Sequence, residues 1–213
     1  MKTEETCEDE KEKEILENVM FFPDVSGDLP GMRTVSVYGE INEDQGRMIT
    51  TALSVLRESG RTEESDEDQD EPTISYSPID FIVSTEGGNV QDMFAIYDCI
   101  RDVRKDCEIK TLGVGKVMSA GILLLAGGTP GKRRVGKHCR LMMHSVQGAH
   151  FGSIKELETD IREVRWYQEQ LTKALVEETK LSYKELKSMF RKKTDTYFDA
   201  EQAVAWGIAD EIA

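Results

Sequence analysis

From about residue 33 onward, short apolar runs alternate with segments whose apolar residues recur at helical spacing. That alternation confines the chain to an α/β sheet with parallel strands. Thr34 to Tyr38 is β-branched and aromatic and reads as a strand. Asn42 follows as an N-cap with Gln45 at capping-box spacing. Met48, Ala52, Leu53 and Leu56 mark the buried stripe of the helix it opens, and Gly60 ends that helix. Ile79 to Val83 reads as a buried strand running into Thr85-Glu86-Gly87-Gly88. A helix then carries Met93, Ile96, Tyr97, Ile100 and Val103 on one face. Ile109 to Val114 is the next strand. A turn over Gly115 to Ser119 leads into the apolar helix Ala120 to Ala126, which Gly127, Gly128 and Pro130 break. Short strands fall near Arg133–Val135 and Leu141–Met143, the second ending at His144. Helices are expected over about 153–179, about 183–190, and from Asp199, with Gln202 at capping-box spacing, to about Trp206. No internal repeat and no second domain is visible.

The chain has 213 residues and a formal charge of −14. Residues 1–14 contribute −4 and residues 61–71 contribute −6, so the remainder carries an ordinary −4. Both acidic runs lack large apolar residues and cannot offset the entropy of ordering their backbone. They read as a partly mobile N-terminal segment (1–32) and a solvated insertion at about 61–77 within a single domain over 33–213. A nucleic-acid partner calls for a basic stripe, which is lacking. The longest apolar run, Gly121 to Ala126, is too short to span a bilayer. The charged N-terminus reads as lacking a secretory signal. Cys7, Cys99, Cys107 and Cys139 fit neither a redox pair nor a metal site, so neither metal nor cofactor is expected. A reducing cytoplasm is the simplest compartment. Cys99 reads as a small core residue.

Three side chains could carry chemistry. Ser119 stands where a strand gives way to a buried helix, near backbone N–H groups able to stabilise an oxyanion; it could equally be a helix cap. His144, at a strand end, could take a proton from a serine hydroxyl or could be a hydrogen-bonded core histidine. His138 and His150 look exposed. Asp195 could fix the tautomer of a histidine or be one surface acid among many. Gly87-Gly88 after a strand could admit a substrate backbone or form a common turn. The order serine, histidine, aspartate, without a G-x-S-x-G elbow, departs from that of the α/β-hydrolases.

These segments, in this order, resemble the Clp protease proteolytic subunit (ClpP) family from about residue 33 to 213. Ser84-Thr-Glu-Gly-Gly88 is similar to the family's Asn-Ser-Pro-Gly-Gly loop, and Val117-Met-Ser-Ala-Gly121 to its Ala-Ala-Ser-Met-Gly nucleophile segment. Gly131-Lys-Arg133 with Arg140-Leu-Met-Met-His144 resembles its Gly-Lys-Arg and Arg-Ile-Met-Ile-His pieces. Asp195 to Asp210 resembles the stretch holding the third catalytic residue. Thr85-Glu86, Ser145-Val146 and Lys193-Thr194 depart from the family pattern, as do residues 1–14 and 61–77.

The resemblance implies a ClpP/crotonase-like fold of repeated β-β-α units with a protruding handle helix from about 153. It implies Ser119 as nucleophile, His144 as general base and Asp195 as its orienting carboxylate. Gly88 and Ala120 would supply the oxyanion hole, and substrate would lie along Gly87 and Gln147. It further implies a heptameric ring, stacked in pairs as a tetradecamer, fed with unfolded polypeptide by an AAA+ ATP-driven unfoldase of the Clp family. The alternatives are a catalytically inactive ring subunit and a crotonase-type acyl-CoA enzyme. The apolar stripe of the handle helix would serve an interface or pack on its own sheet.

Overall fold

The structure, a computed structural model, describes residues 32–64, 72–148 and 151–213. Strand β1 (Thr34–Ile41) is followed by helix α1 (Glu43–Ser59). Asn42 caps α1 by accepting from the Gln45 backbone N–H, while the Gln45 side chain donates to Tyr38 O. The inward stripe of α1 is Ile49, Leu53 and Leu56; Met48 and Ala52 lie at its margin, only partly buried. Gly60 ends the helix as expected.

The expected solvated loop at 61–77 is in part a hairpin. β2 (Arg61–Glu64) and β3 (Thr73–Tyr76) pair antiparallel, with Glu63 opposite Ile74. Backbone pairing satisfies these polar, exposed arms where no apolar core is available. The tip of the acidic run lies outside the described residues, as do residues 1–31, Cys7 included, and His150.

β4 (Ile79–Gly88) lies parallel to β1 and β5 (Ile109–Met118). Both β4 and β5 run further than their apolar stretches indicate. The segment read as a turn, Gly115 to Ser119, continues β5 through Met118, because β5 changes partner along its length. Leu112–Gly113 pairs β6 (Arg134–Val135), whereas Lys116–Met118 pairs β7 (Arg140–Met143). β6 also pairs β9 (Glu211–Ile212) in parallel, and β7 pairs β8 (Thr196–Phe198) antiparallel. Parallel pairing therefore dominates a seven-stranded sheet.

Helix α2 (Val90–Val103) buries the five apolar residues expected of it and packs against α1. Every residue of α3 (Ala120–Ala126) is buried, so this short helix lies inside the molecule, on β4 and β5. Cys99 is half-buried at the edge of the core, while Cys107 and Cys139 are fully buried.

Two arginines close the far end of α3, where helix carbonyls lack partners. Arg104 donates to the carbonyls of Gly127 (2.6 Å) and Gly128 (3.2 Å), and Arg133 to that of Ala126 (3.2 Å). Both are neutralised within the fold. Arg104 forms a forked pair with the buried Glu178, which also accepts from Tyr97 Oη (2.7 Å). Arg133 forms a forked pair with Asp210. Burial and the Glu178 carboxylate push the Tyr97 phenol up.

α4 (Ile154–Glu178) opens with a Ser153–Glu156 capping box, and α5 (Tyr183–Phe190) with a Ser182–Glu185 box. The α4 stripe divides. Leu171 and Leu175 are buried, but Ile154 is 79% exposed and Ile161 48%. Only the C-terminal half therefore packs within the chain, and it does so chiefly against the buried helix α3 rather than on the sheet. The last helix, α6 (Ala200–Ala205), is capped by Asp199, which accepts from Gln202 N. Among the described residues no helix is long and apolar enough to cross a membrane.

Candidate active site

The strand ladder brings the three candidate side chains together. Ser119 follows the last residue of β5, and its N–H donates to Met142 O at 2.8 Å. That bond fixes the serine two residues from His144 across the β5–β7 pair. On the other side of β7, Met143 faces Thr196 in the antiparallel register. The next rung of that ladder sets His144 beside Asp195.

The side chains follow the backbone. His144 Nε2 lies 2.7 Å from Ser119 Oγ, a hydrogen bond. His144 Nδ1 lies 3.8 Å from Asp195 Oδ1, an ion-pair distance rather than a hydrogen bond. Gln147 Nε2 is nearer, 3.2 Å from the same Nδ1. The Ser119 side chain makes no cap bond to α3, so its hydroxyl is committed to the histidine and the plain helix-cap reading fails. Ser119 is also the sole non-glycine residue with positive φ among those described, at φ 52° and ψ −118°. Such a backbone costs on the order of 1–3 kcal/mol and persists only where the surroundings impose it. Here the Met142 bond on one side and the buried α3 on the other impose it. His138 is exposed, in the turn before β7.

Gly87 and Gly88 press against the serine from β4. Gly87 has φ 104°, and a Cβ there would stand 2.6 Å from Ser119 Cβ and 3.2 Å from Ala120 N. Gly88 has φ 152°, and its Cβ would run into the Ile41 backbone. Only glycine fits either position, which answers the common-turn reading. Thr85, fully buried, holds the loop by accepting from Gly87 N (2.9 Å) and donating to Gly39 O. Asn89 caps α2 by accepting from the N–H groups of Gln91 and Asp92.

A cavity of about 380 Å³ opens here. Gly88, Ser119, Ala120, His144 and Gln147 all line it, and Val90, Met93, Val146 and Leu171 give it an apolar wall. Glu86 lies on its rim, 2.6 Å from Lys116 Nζ; the hydrogen bond to that ammonium holds its carboxyl below the usual range. Sequence reasoning missed this pair. Glu86 and Lys116 lie in different strands, and only the β4–β5 pairing shows them as neighbours. It missed the strain at Ser119 as well, since no residue type announces it.

A parallel α/β sheet that delivers an imidazole-bonded serine to the floor of a partly apolar cleft defines a serine hydrolase. The family model for Clp protease matches residues 20–213. Among relatives, the ATP-dependent Clp protease proteolytic subunit 2 of Gluconobacter oxydans is 29% identical over 191 residues, covering 89% of this chain and 77% of its own. The chain belongs to the Clp protease family, and its enzyme class is that of the serine peptidases.

Proposed function

We propose that Ser119, His144 and Asp195 are the catalytic triad of an ATP-dependent Clp protease proteolytic subunit. The contact of 2.7 Å between Ser119 Oγ and His144 Nε2, at a serine held in a strained backbone, carries the reading. Ser119 Oγ attacks the carbonyl carbon of the scissile bond as its proton passes to His144 Nε2. The N–H groups of Gly88 and Ala120 receive the negative charge that develops on the carbonyl oxygen. His144 then protonates the departing amine, the C–N bond breaks, and an acyl-enzyme remains. Water, deprotonated by the same imidazole, releases the acyl group. Asp195 keeps the second ring proton on Nδ1 and stabilises the imidazolium. Substrate runs between Gly87 and Gln147.

The substrates are unfolded polypeptides, delivered by an AAA+ ATP-driven unfoldase of the Clp family to a cytoplasmic chamber. The exposed N-terminal half of α4 supports assembly, since Ile154 and Ile161 have little cover within the chain. The assembly is a heptameric ring stacked as a tetradecamer, the acidic segment 1–14 and the insertion at about 61–77 being additions to the peptidase domain. A fluorophosphonate probe tests the chemistry: its adduct should map to Ser119 by peptide mass, and an unlabelled Ser119 in assembled protein counts against it.

A further inference from the structure

One contact at His144 works against the triad just described. Gln147 Nε2 is 3.2 Å from Nδ1, while Asp195 Oδ1 is 3.8 Å away. An amide nitrogen donates and cannot accept, so it needs a lone pair on Nδ1. A neutral imidazole has one ring proton, which then sits on Nε2 and points at Ser119 Oγ. In that tautomer the ring donates to the hydroxyl and cannot take its proton. Asp195 asks for the reverse, a proton on Nδ1 and a lone pair on Nε2.

We propose that Gln147 is a positioning residue that competes with Asp195 for Nδ1 of His144, holding the base in a resting tautomer until a substrate carbonyl takes up the amide. The inference rests on the serine-peptidase reading above. Gln147 is exposed and lines the same cavity as Ser119 and His144, so a chain entering the cleft meets it. An extended peptide brings carbonyls that need donors, and the Gln147 amide is one. The backbone is tethered one residue earlier, where Val146 N donates to Gln168 Oε1 at 2.7 Å. The side chain can therefore turn away without moving the base. Of the other charged groups facing this space, Glu86 on the rim is paired with Lys116, and among the described residues Asp195 alone approaches Nδ1 as an acid. With Gln147 turned away, a shift of under about 1 Å brings that carboxylate into hydrogen-bond range.

The test uses phenylmethanesulfonyl fluoride, which sulfonylates Ser119 with loss of fluoride and offers no peptide carbonyl to Gln147. Labelling rates are measured against pH for the wild-type assembly and for Gln147→Leu and Gln147→Glu. Leu removes the donor, and Glu replaces it with an acceptor that favours the Nδ1 proton. Both variants should label about five-fold faster, the factor that one net hydrogen bond to the wrong tautomer represents. The acid limb of the rate should move to higher pH in both, because a carboxylate on Nδ1 favours the imidazolium. In Gln147→Leu, which adds no charge of its own, a purely structural or substrate-lining role would leave that limb where it is. Equal or slower labelling in both variants, or an unmoved limb, overturns the role of Gln147. A wild-type assembly that is never labelled at Ser119 overturns the serine-peptidase reading itself.

Discussion

A Cβ on Gly87 would come to 2.6 Å from the Cβ of Ser119 and to 3.0 Å from its Oγ. The glycine on β4 and the serine after β5 therefore occupy one shared space, and the missing side chain is what lets the hydroxyl reach His144. Gly87→Ala should lower kcat by about 100-fold or more, the scale expected when a reacting atom is displaced by about 1 Å. It should also cost on the order of 1–3 kcal/mol in stability, since φ is 104° at that position. Steady-state peptide hydrolysis and thermal unfolding of the same variant read both effects. An alanine variant with full kcat would show that the serine does not depend on this packing.

Much of this arrangement can be read from residue order alone. The face of α2 and the ends of α3 and α5 follow from periodicity, capping and glycine breaks, which act over a few neighbouring residues. Where a strand continues because it finds a second partner, local pattern misleads. Gly115 looks like the start of a turn, yet β5 passes through it because β7 takes over from β6. The hairpin at 61–76 escaped notice for the related reason that its arms are polar and bury almost nothing. The candidate triad was legible as three residue types on matching motifs. The 3.8 Å gap at Asp195 and the nearer Gln147 amide were not, because side-chain competition for one nitrogen leaves no trace in spacing.

Asp195→Asn should reduce kcat by about 10²- to 10⁴-fold while KM changes little, because an amide cannot stabilise the imidazolium or enforce the Nδ1 proton. Kinetics on a short fluorogenic peptide distinguish this from a surface acid, whose replacement would leave kcat untouched.

Glu178 supports the fold from the end of α4 opposite the exposed stripe. It binds Arg104 in a fork and accepts from Tyr97, and Arg104 in turn closes the end of α3. Glu178→Ala leaves a largely buried guanidinium unpaired and should cost about 3–5 kcal/mol. In a chain of this size that corresponds to a melting temperature lower by on the order of 10 °C. A change of only a degree or two would place little weight on this cluster.

Acid should act on the neighbouring pair. Burial works against the Asp210 carboxylate, but hydrogen bonds from Arg133 and from the Gly131 N–H outweigh it and hold its pKa below the usual range. A carboxyl depressed in the folded state adds stability that is fully present above its unfolded pKa of about 3.9 and is lost as pH falls through the lower folded value. Wild-type stability should therefore fall below about pH 4, and Asp210→Asn should be less stable at neutral pH with a shallower decline on acidification. Denaturant unfolding from pH 7 down to 3 measures both; parallel curves for the two proteins would count against this pair as an acid-sensitive element.

Hydrolysis of a short fluorogenic peptide by assembled Ser119→Ala, beside the wild type at equal concentration, bears on the whole mechanism. Removing the hydroxyl that contacts His144 should lower kcat by about 10⁴-fold or more, with assembly and melting temperature little changed. Turnover by the alanine variant within about ten-fold of wild type would mean that the bond is cut by some other group.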